Sequence, residues 1–198
     1  MIGLKCGMVK LLEHQMIWDK SAKDVIILLK SIWDKTAIDI QHIGSTSIPS
    51  ISAKPIIDIV VGVASLEEAK LYLERLEQCG IVFRGQDVPK QLLFAMGDFE
   101  KNTRTHHIHV VEWNSVAWNN YINFRDYLNT FTDKAKLYDS HKQKLALQFE
   151  DNRKIYTQRK QELINILLEE ARLWRINTLK NKFTFIEKLS NYFLIFSK

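Results

Sequence analysis

Gln41-His42-Ile43-Gly44-Ser45-Thr46-Ser47-Ile48-Pro49-Ser50-Ile51-Ser52-Ala53-Lys54-Pro55-Ile56-Ile57-Asp58-Ile59-Val60-Val61 is the stretch on which the fold turns. Residues 38–43 alternate apolar and polar as a half-buried strand does, and 55–63 form a nearly continuous β-branched run, the pattern of a strand buried on both faces. Between them, Gly44-Ser45-Thr46-Ser47 is a polar turn. Directly after a strand, such a turn bares backbone N–H groups and hydroxyls with no bulky side chain in the way, which suits a phosphate group. The same residues also serve as a plain polar loop or a helix cap. The spacing is neither that of a Walker A loop nor that of a G-x-S-x-G nucleophile elbow.

Asp58 gives the stretch its chemical interest. A carboxylate inside Pro55-Ile56-Ile57-Asp58-Ile59-Val60-Val61 costs several kcal/mol to bury unless it is paired or metal-bound. Lys54, at the mouth of the same strand, is a candidate to balance that charge or to meet a substrate phosphate. The alternative is an Asp58 at the strand end, hydrogen-bonded to a loop. A second constellation lies at Arg104-Thr105-His106-His107-Ile108-His109-Val110-Val111-Glu112. On a strand, His107 and His109 share one face with Thr105, while His106, Ile108, Val110 and Glu112 share the other. Two imidazoles ~6 to 7 Å apart along a strand can flank a phosphate or reach one metal ion; a surface histidine cluster without a role is the plainer reading. Arg104, just before this strand, is placed to meet an anionic ligand.

Outward from these two stretches, the first half alternates helix and strand signals. Trp18, Ala22, Val25, Ile26, Leu29, Ile32 and Trp33 recur at helical spacing. Ser65 opens a short helix with Glu68 completing a capping box, and Gly80 stops it. Residues 81–84, 92–96 and 105–112 are further strand candidates. Residues 115–128, 133–149 and 156–174 are long helical patterns. A strand-rich half followed by helices predicts an α/β (α+β) fold, a mixed sheet flanked by helices with a helical C-terminal half.

The 198 residues are 46% hydrophobic and 26% charged, an ordinary globular composition. The net charge of +5 is not spread along the chain: residues 1–171 hold 22 Lys+Arg against 22 Asp+Glu, and 172–198 hold 6 against 1. The balanced body argues against a chain-wide grip on nucleic acid. Two cysteines at positions 6 and 79 without a CxxC pair predict free thiols, and no run approaches a signal-peptide core or a membrane span, so a cytoplasmic location is the default expectation. Two units are expected: a domain over 1–171 and a basic amphipathic C-terminal helix over 172–198. That helix carries Ile176, Leu179, Phe183, Ile186 and Phe193 at helical spacing and would pack on its own domain, on a second copy of the chain as a homo-oligomer contact, or on an anionic membrane.

Residues 42–63, then 105–112, then Trp118 with 123–128, then 146 and 151–157, together with Leu12, His14 and Trp18, closely resemble the GrpB family, over about residues 9–171. The resemblance implies a branch of the nucleotidyltransferase superfamily, with relatives fused to some bacterial dephospho-CoA kinases. It implies that Gly44 and Ser45 form the turn that holds a nucleotide triphosphate and that Asp58 matches the first acid of a two-acid metal-binding strand; Thr46, Lys54 and Arg104 are the further phosphate-binding candidates that the residues themselves offer. The second acid is replaced by Val60. The implied cofactor is a divalent metal, Mg²⁺ or Mn²⁺, on Asp58, with His107, His109 or Glu112 as the source of a missing ligand and Asp58 and His109 as the first choice. Asp58, His107 and His109 are the catalytic candidates. The expected activity is transfer of a nucleotidyl group from a nucleoside triphosphate to a small-molecule acceptor; the alternative is a catalytically silent nucleotide- or CoA-related binding or scaffold module. Arg125 and Asp126 read as an ion pair fastening the helical half to the sheet, and Asp151, Arg153, Tyr156 and Lys160 as capping and solubilising charges.

Overall fold

The computed structural model describes residues 1–86, 88–150 and 152–196, with the side chains of 182–196 left aside. Strands β1 (Leu4–Lys5), β2 (Ala37–Ile43), β3 (Ile57–Val63), β4 (Val82–Gly85), β5 (Gln91–Met96), β6 (Thr103–Arg104) and β7 (His106–Glu112) combine with helices α1 (Met16–Trp33), α2 (Leu66–Lys70), α3 (Leu73–Gln78), α4 (Val116–Thr130), α5 (Thr132–Gln148) and α6 (Arg153–Phe196). Five strands form one sheet in the order β2-β3-β7-β5-β4, and β1 pairs with β6 in a separate ribbon. Only β3 and β7 run parallel; the other pairings within the five-stranded sheet are antiparallel, so the sheet is mixed as expected.

The β-branched run of β3 places it at the heart of the sheet, and alternation divides its residues between two cores. On one side Ile57, Ile59, Val61 and Val63 join Ile108, Val110, Leu92 and Phe94 under α1, which delivers Trp18, Ala22, Val25, Leu29, Ile32 and Trp33 from a single stripe. Each large side chain buried this way contributes ~1.5–3 kcal/mol. On the other side Ile43, Val60 and Val111 meet Trp118 of α4. Gly62 permits that docking: a Cβ there would come within 2.8 Å of Trp113 and 2.9 Å of Trp118. A third core joins Ile48 and Ile51, from the loop after the polar turn, to Tyr127, Leu128, Ala135, Tyr138, Leu167 and Ala171 of α4, α5 and α6. The helical half is thereby packed directly on the loop that separates β2 from β3.

The sequence-based elements differ from the structure in three places. The helix expected from Ser65 to Gly80 is two helices: i→i−3 bonds from Leu71 N–H to Glu68 and from Tyr72 N–H to Ala69 tighten the chain at the junction, where the Tyr72 hydroxyl meets Thr36 Oγ1 at 3.1 Å. The Ser65 cap on the Glu68 N–H is present at 3.4 Å. The short β1–β6 ribbon carries no apolar alternation and was not legible. Finally, α6 crosses position 171 without interruption, and Trp174 and Arg175 pack on the body. The apolar stripe expected at Phe183, Ile186 and Phe193 lies outside the described side chains. Among the described residues, no helix is long and apolar enough to cross a membrane.

Candidate functional site

The polar turn after β2 becomes one turn of 3-10 helix at Ser45–Ser47, closed by Ser47, whose Oγ donates to the Gly44 carbonyl at 2.7 Å. Gly44 has φ +70, and a Cβ on it would lie 2.5 Å from Asp58 Oδ2. Glycine is required twice over, for the left-handed backbone and for the close approach of the carboxylate. The turn is also held from behind: His42 Nε2 lies 2.9 Å from Thr46 Oγ1. Burial pushes the His42 imidazole down to about 4, against the opposing pull of Asp19, so it is neutral at pH 7.

Register delivers the second half of the site. Asp58 lies opposite His107 and Val60 opposite His109 on the parallel β3–β7 pair, all on the face toward α4. His107 Nδ1 is 3.3 Å and His109 Nε2 is 3.7 Å from the same oxygen, Asp58 Oδ1. Burial pushes the Asp58 carboxyl up, but the N–H groups that His107 and His109 turn toward it outweigh burial and hold the group well below the usual carboxylate range. The histidine cluster is therefore the compensation that a carboxylate in an apolar strand requires.

Two cavities meet at this point. One, of about 610 Å³, is largely apolar and runs under α4 and α6 past Ile43, Tyr121, Phe124, Tyr138, Ile164 and Leu168. The other, of about 300 Å³, is lined by Thr46, Lys54, His107, Lys142, Arg153 and Lys160 among others. Ser45, Asp58, His109 and Lys160 line both. Four cations thus converge on the smaller cavity. Lys54 and Lys160 lie over the Tyr156 ring at 5.1 and 5.7 Å from its centroid. Burial, with the positive charges of Lys160 and Arg153, pushes the Lys54 ammonium down to about 7. Lys142 is almost wholly buried, donates to the Ser52 carbonyl, and approaches Ser45 Oγ and Asp139 Oδ1 at 3.5 Å each; burial lowers it to about 8. Crowded, partly desolvated cations of this kind are relieved by an anionic ligand.

Of the residues singled out in the sequence, Gly44, Ser45, Thr46, Lys54, Asp58, His107 and His109 are brought together. Arg104 is not: it lies on β6, its guanidinium 4.4 Å from the Phe99 ring centroid and donating to the Thr103 carbonyl, and it lines neither cavity. Glu112 is at the opposite end of β7, across from Val63. Arg153, Tyr156 and Lys160, read above as capping and solubilising charges, instead face the basic cavity. Their signal was the spacing Arg153, Thr157, Lys160, Ile164 on one stripe of α6. Lys142 was legible as the odd residue in the otherwise buried stripe Ala135, Tyr138, Leu145 of α5. Arg125 does fasten the halves: it donates to Gln41 Oε1 at 2.9 Å and the His42 carbonyl at 3.0 Å and pairs with Asp126, which Arg175 of α6 also engages.

The donor set decides what metal the site could take. A two-ion Mg²⁺ centre needs oxygen ligands from paired acids, yet Val60 is fully buried at the second position, and both imidazoles turn nitrogen toward one oxygen of Asp58 rather than toward a shared coordination point. Among the described residues, no group of three His, Cys, Asp or Glu is arranged to hold a metal ion. The residues present do not fit the two-ion centre.

A mixed sheet with a Gly-Ser turn after one strand, an acid on the next and a helical half closing over both defines an α+β protein with its cleft between sheet and helices. More particularly, residues 8–170 match the family described as GrpB protein, and the chain belongs to that family. It is 39% identical over 173 residues to the glutamate-rich protein GrpB of Alkalihalophilus pseudofirmus, spanning 86% of this chain and 99% of that one. It is 34% identical over 168 residues to the UPF0157 protein YqkA of Bacillus subtilis, spanning 84% of this chain and about half, 48%, of YqkA. The crystal structure of GrpB from Enterococcus faecalis superposes with TM-score 0.77 at 28% identity, over 83% of this chain and 99% of that one. A looser likeness, TM-score 0.47 at 14% identity over 67% of this chain and 44% of the other, is to MgGTP-bound Cid1 poly(U) polymerase.

Proposed function

We propose that the chain binds a nucleoside triphosphate across the two joined cavities and transfers its nucleotidyl group to a small-molecule acceptor. The observation that carries this reading is the shared lining: Ser45, Asp58, His109 and Lys160 border both cavities, so one ligand with an anionic end and an apolar end can occupy both. The phosphates lie among Lys54, Lys142, Arg153 and Lys160, with the hydroxyls and N–H groups of the turn beside them; the nucleoside lies against Tyr121, Phe124 and Tyr138. The α-phosphate is then next to Asp58. An acceptor hydroxyl oxygen forms its bond to the α-phosphorus as the bond to the β-phosphate oxygen breaks; pyrophosphate leaves with that electron pair and the hydroxyl proton is released to solvent. Asp58, held ionised, accepts a hydrogen bond from the acceptor hydroxyl and orients it, while the lysines offset the charge that develops on the leaving group.

Thermal unfolding with each common nucleoside triphosphate tests binding. A ligand at 100 times its dissociation constant adds about 2.7 kcal/mol, or roughly 5–10 °C for a chain of this length. Pyrophosphate release in the presence of a metabolite pool tests turnover. The buried Val60 favours a second reading, a nucleotide- or CoA-related binding module. Stabilisation by nucleotide without pyrophosphate release selects it.

A further inference from the structure

Gln91, at the start of β5, is buried on the same face of the sheet as Asp58 and His109, yet it contributes no charge and no apolar surface to a core. Its amide is committed at both ends. Tyr121 of α4 donates its hydroxyl to Gln91 Oε1 at 2.8 Å, and Gln91 Nε2 lies 3.2 Å from His109 Nδ1. The Tyr121 oxygen is itself 3.3 Å from His109 Nδ1. At the far side of the imidazole, Nε2 faces the Asp58 carboxylate.

For a neutral imidazole, donor and acceptor accounting along this chain has one consistent solution. A carboxylate only accepts, so the His109 nitrogen turned toward it carries the proton. Nδ1 then holds a lone pair and needs a donor, which the Gln91 amide N–H supplies. The amide oxygen must in turn accept, and the Tyr121 hydroxyl donates to it. Burial and the Asp58 charge push the Tyr121 phenol up to about 12, so its proton is in place at neutral pH. The opposite orientation of the amide would set Nδ1–H against Gln91 Oε1, leave the hydroxyl proton of Tyr121 without an acceptor, and turn a lone pair toward a carboxylate.

We propose that Gln91 and Tyr121 are positioning residues that lock His109 in the Nε2–H tautomer, so that it aims a fixed N–H at the Asp58 carboxylate rather than a lone pair at a metal ion. His107 is different: its Nδ1 faces Asp58, and its Nε2 has no hydrogen-bond partner among the described residues and borders the basic cavity. The two imidazoles on one carboxylate oxygen are therefore not equivalent. One is pinned through its outer nitrogen; the other is open on that side. The second acid position is thus not made good by a metal-ligating imidazole: Asp58 is hydrogen-bonded by His107 and faced by the Nε2–H of His109, and any divalent ion in the cleft arrives with the phosphates instead of residing on His109.

The inference concerns the same cleft as the nucleotide reading but does not need a nucleotide to be bound, so the two stand or fall separately. The test is ring-nitrogen NMR on the full chain labelled with ¹⁵N-histidine, without ligand, with His109 assigned by the cross-peaks lost in His109→Gln. The wild type should show His109 protonated at Nε2 and unprotonated at Nδ1. In Gln91→Glu, whose carboxylate can only accept, His109 should move its proton to Nδ1 or become doubly protonated. Tyr121→Phe, which removes only the hydroxyl that orients Gln91, should leave a mixture of tautomers and serves if the Gln91 variant does not fold. A wild-type His109 protonated at Nδ1, or a tautomer unchanged in the variants that fold, overturns the proposal. A residue that merely packed the site would not move this readout.

Discussion

At the residue scale, the site depends on a glycine that can approach a carboxylate. Gly44→Ala adds about 1–2 kcal/mol for the left-handed backbone and about 1–3 kcal/mol for forcing a methyl group into the space Asp58 occupies. The expected outcome is a lower urea midpoint at unchanged m value. Asp58, His107, His109 and Gly44 were legible in the sequence because each broke a local rule: an acid in a β-branched run, three histidines in four positions, a glycine ending a strand. Gln91 was not, because a glutamine at a strand end looks like ordinary surface until the third dimension buries it; Lys142 and Lys160 left only the signal of their helical spacing. Arg104 misled for the converse reason: adjacency in sequence to the histidine strand put it at a strand start, where an aromatic ring took it up.

At the element scale, the cleft is the space left between the sheet and the helices, and its width is set by how α4 is moored. Arg125 makes two hydrogen bonds to β2 while pairing with Asp126, which is tied to Arg175 of α6. Lysine cannot reproduce that planar fork. Arg125→Lys is accordingly expected to destabilise the chain by about 1–3 kcal/mol, the cost of leaving buried hydrogen-bonding groups unpaired, and to increase amide exchange in α4 more than in α1, which hydrogen-exchange mass spectrometry can resolve. The long elements were readable from periodicity, since α1 and β3 each bury a pattern that only one secondary structure satisfies. The break between α2 and α3 was not, because no glycine or proline marks it; it follows from tightened backbone bonds and the contact between Tyr72 and Thr36. The β1–β6 ribbon was hidden because two-residue strands carry no period.

At the scale of the whole molecule, charge and pH behaviour separate. The +5 belongs to the last 27 residues, while the balanced body sets four of its cations around one cavity. Acid stability is governed elsewhere, by His42 and His106, which burial lowers from 6.5 to about 4. Because the unfolded chain takes up these protons first, the contribution of these two histidines is full above about 6.5 and is lost as the pH drops toward about 4, by about 3 kcal/mol for each histidine. Asp58 acts in a lower window, losing its contribution only as the pH falls below the ordinary carboxylate range. Urea unfolding between pH 7 and pH 4 should show the first loss, and His106→Gln should reduce it by about half.

The measurement that bears most directly on the central claim is calorimetric titration of the full chain with the four common nucleoside triphosphates and with inorganic triphosphate, repeated on Lys160→Ala. Lys160 borders both cavities, and removing one charge-assisted contact of about 1.5–3 kcal/mol should weaken binding at least tenfold. The account predicts one site per chain, competition between inorganic triphosphate and nucleotide, and that loss in Lys160→Ala. Absence of binding by every one of these compounds, or binding that Lys160→Ala leaves unchanged, would contradict it.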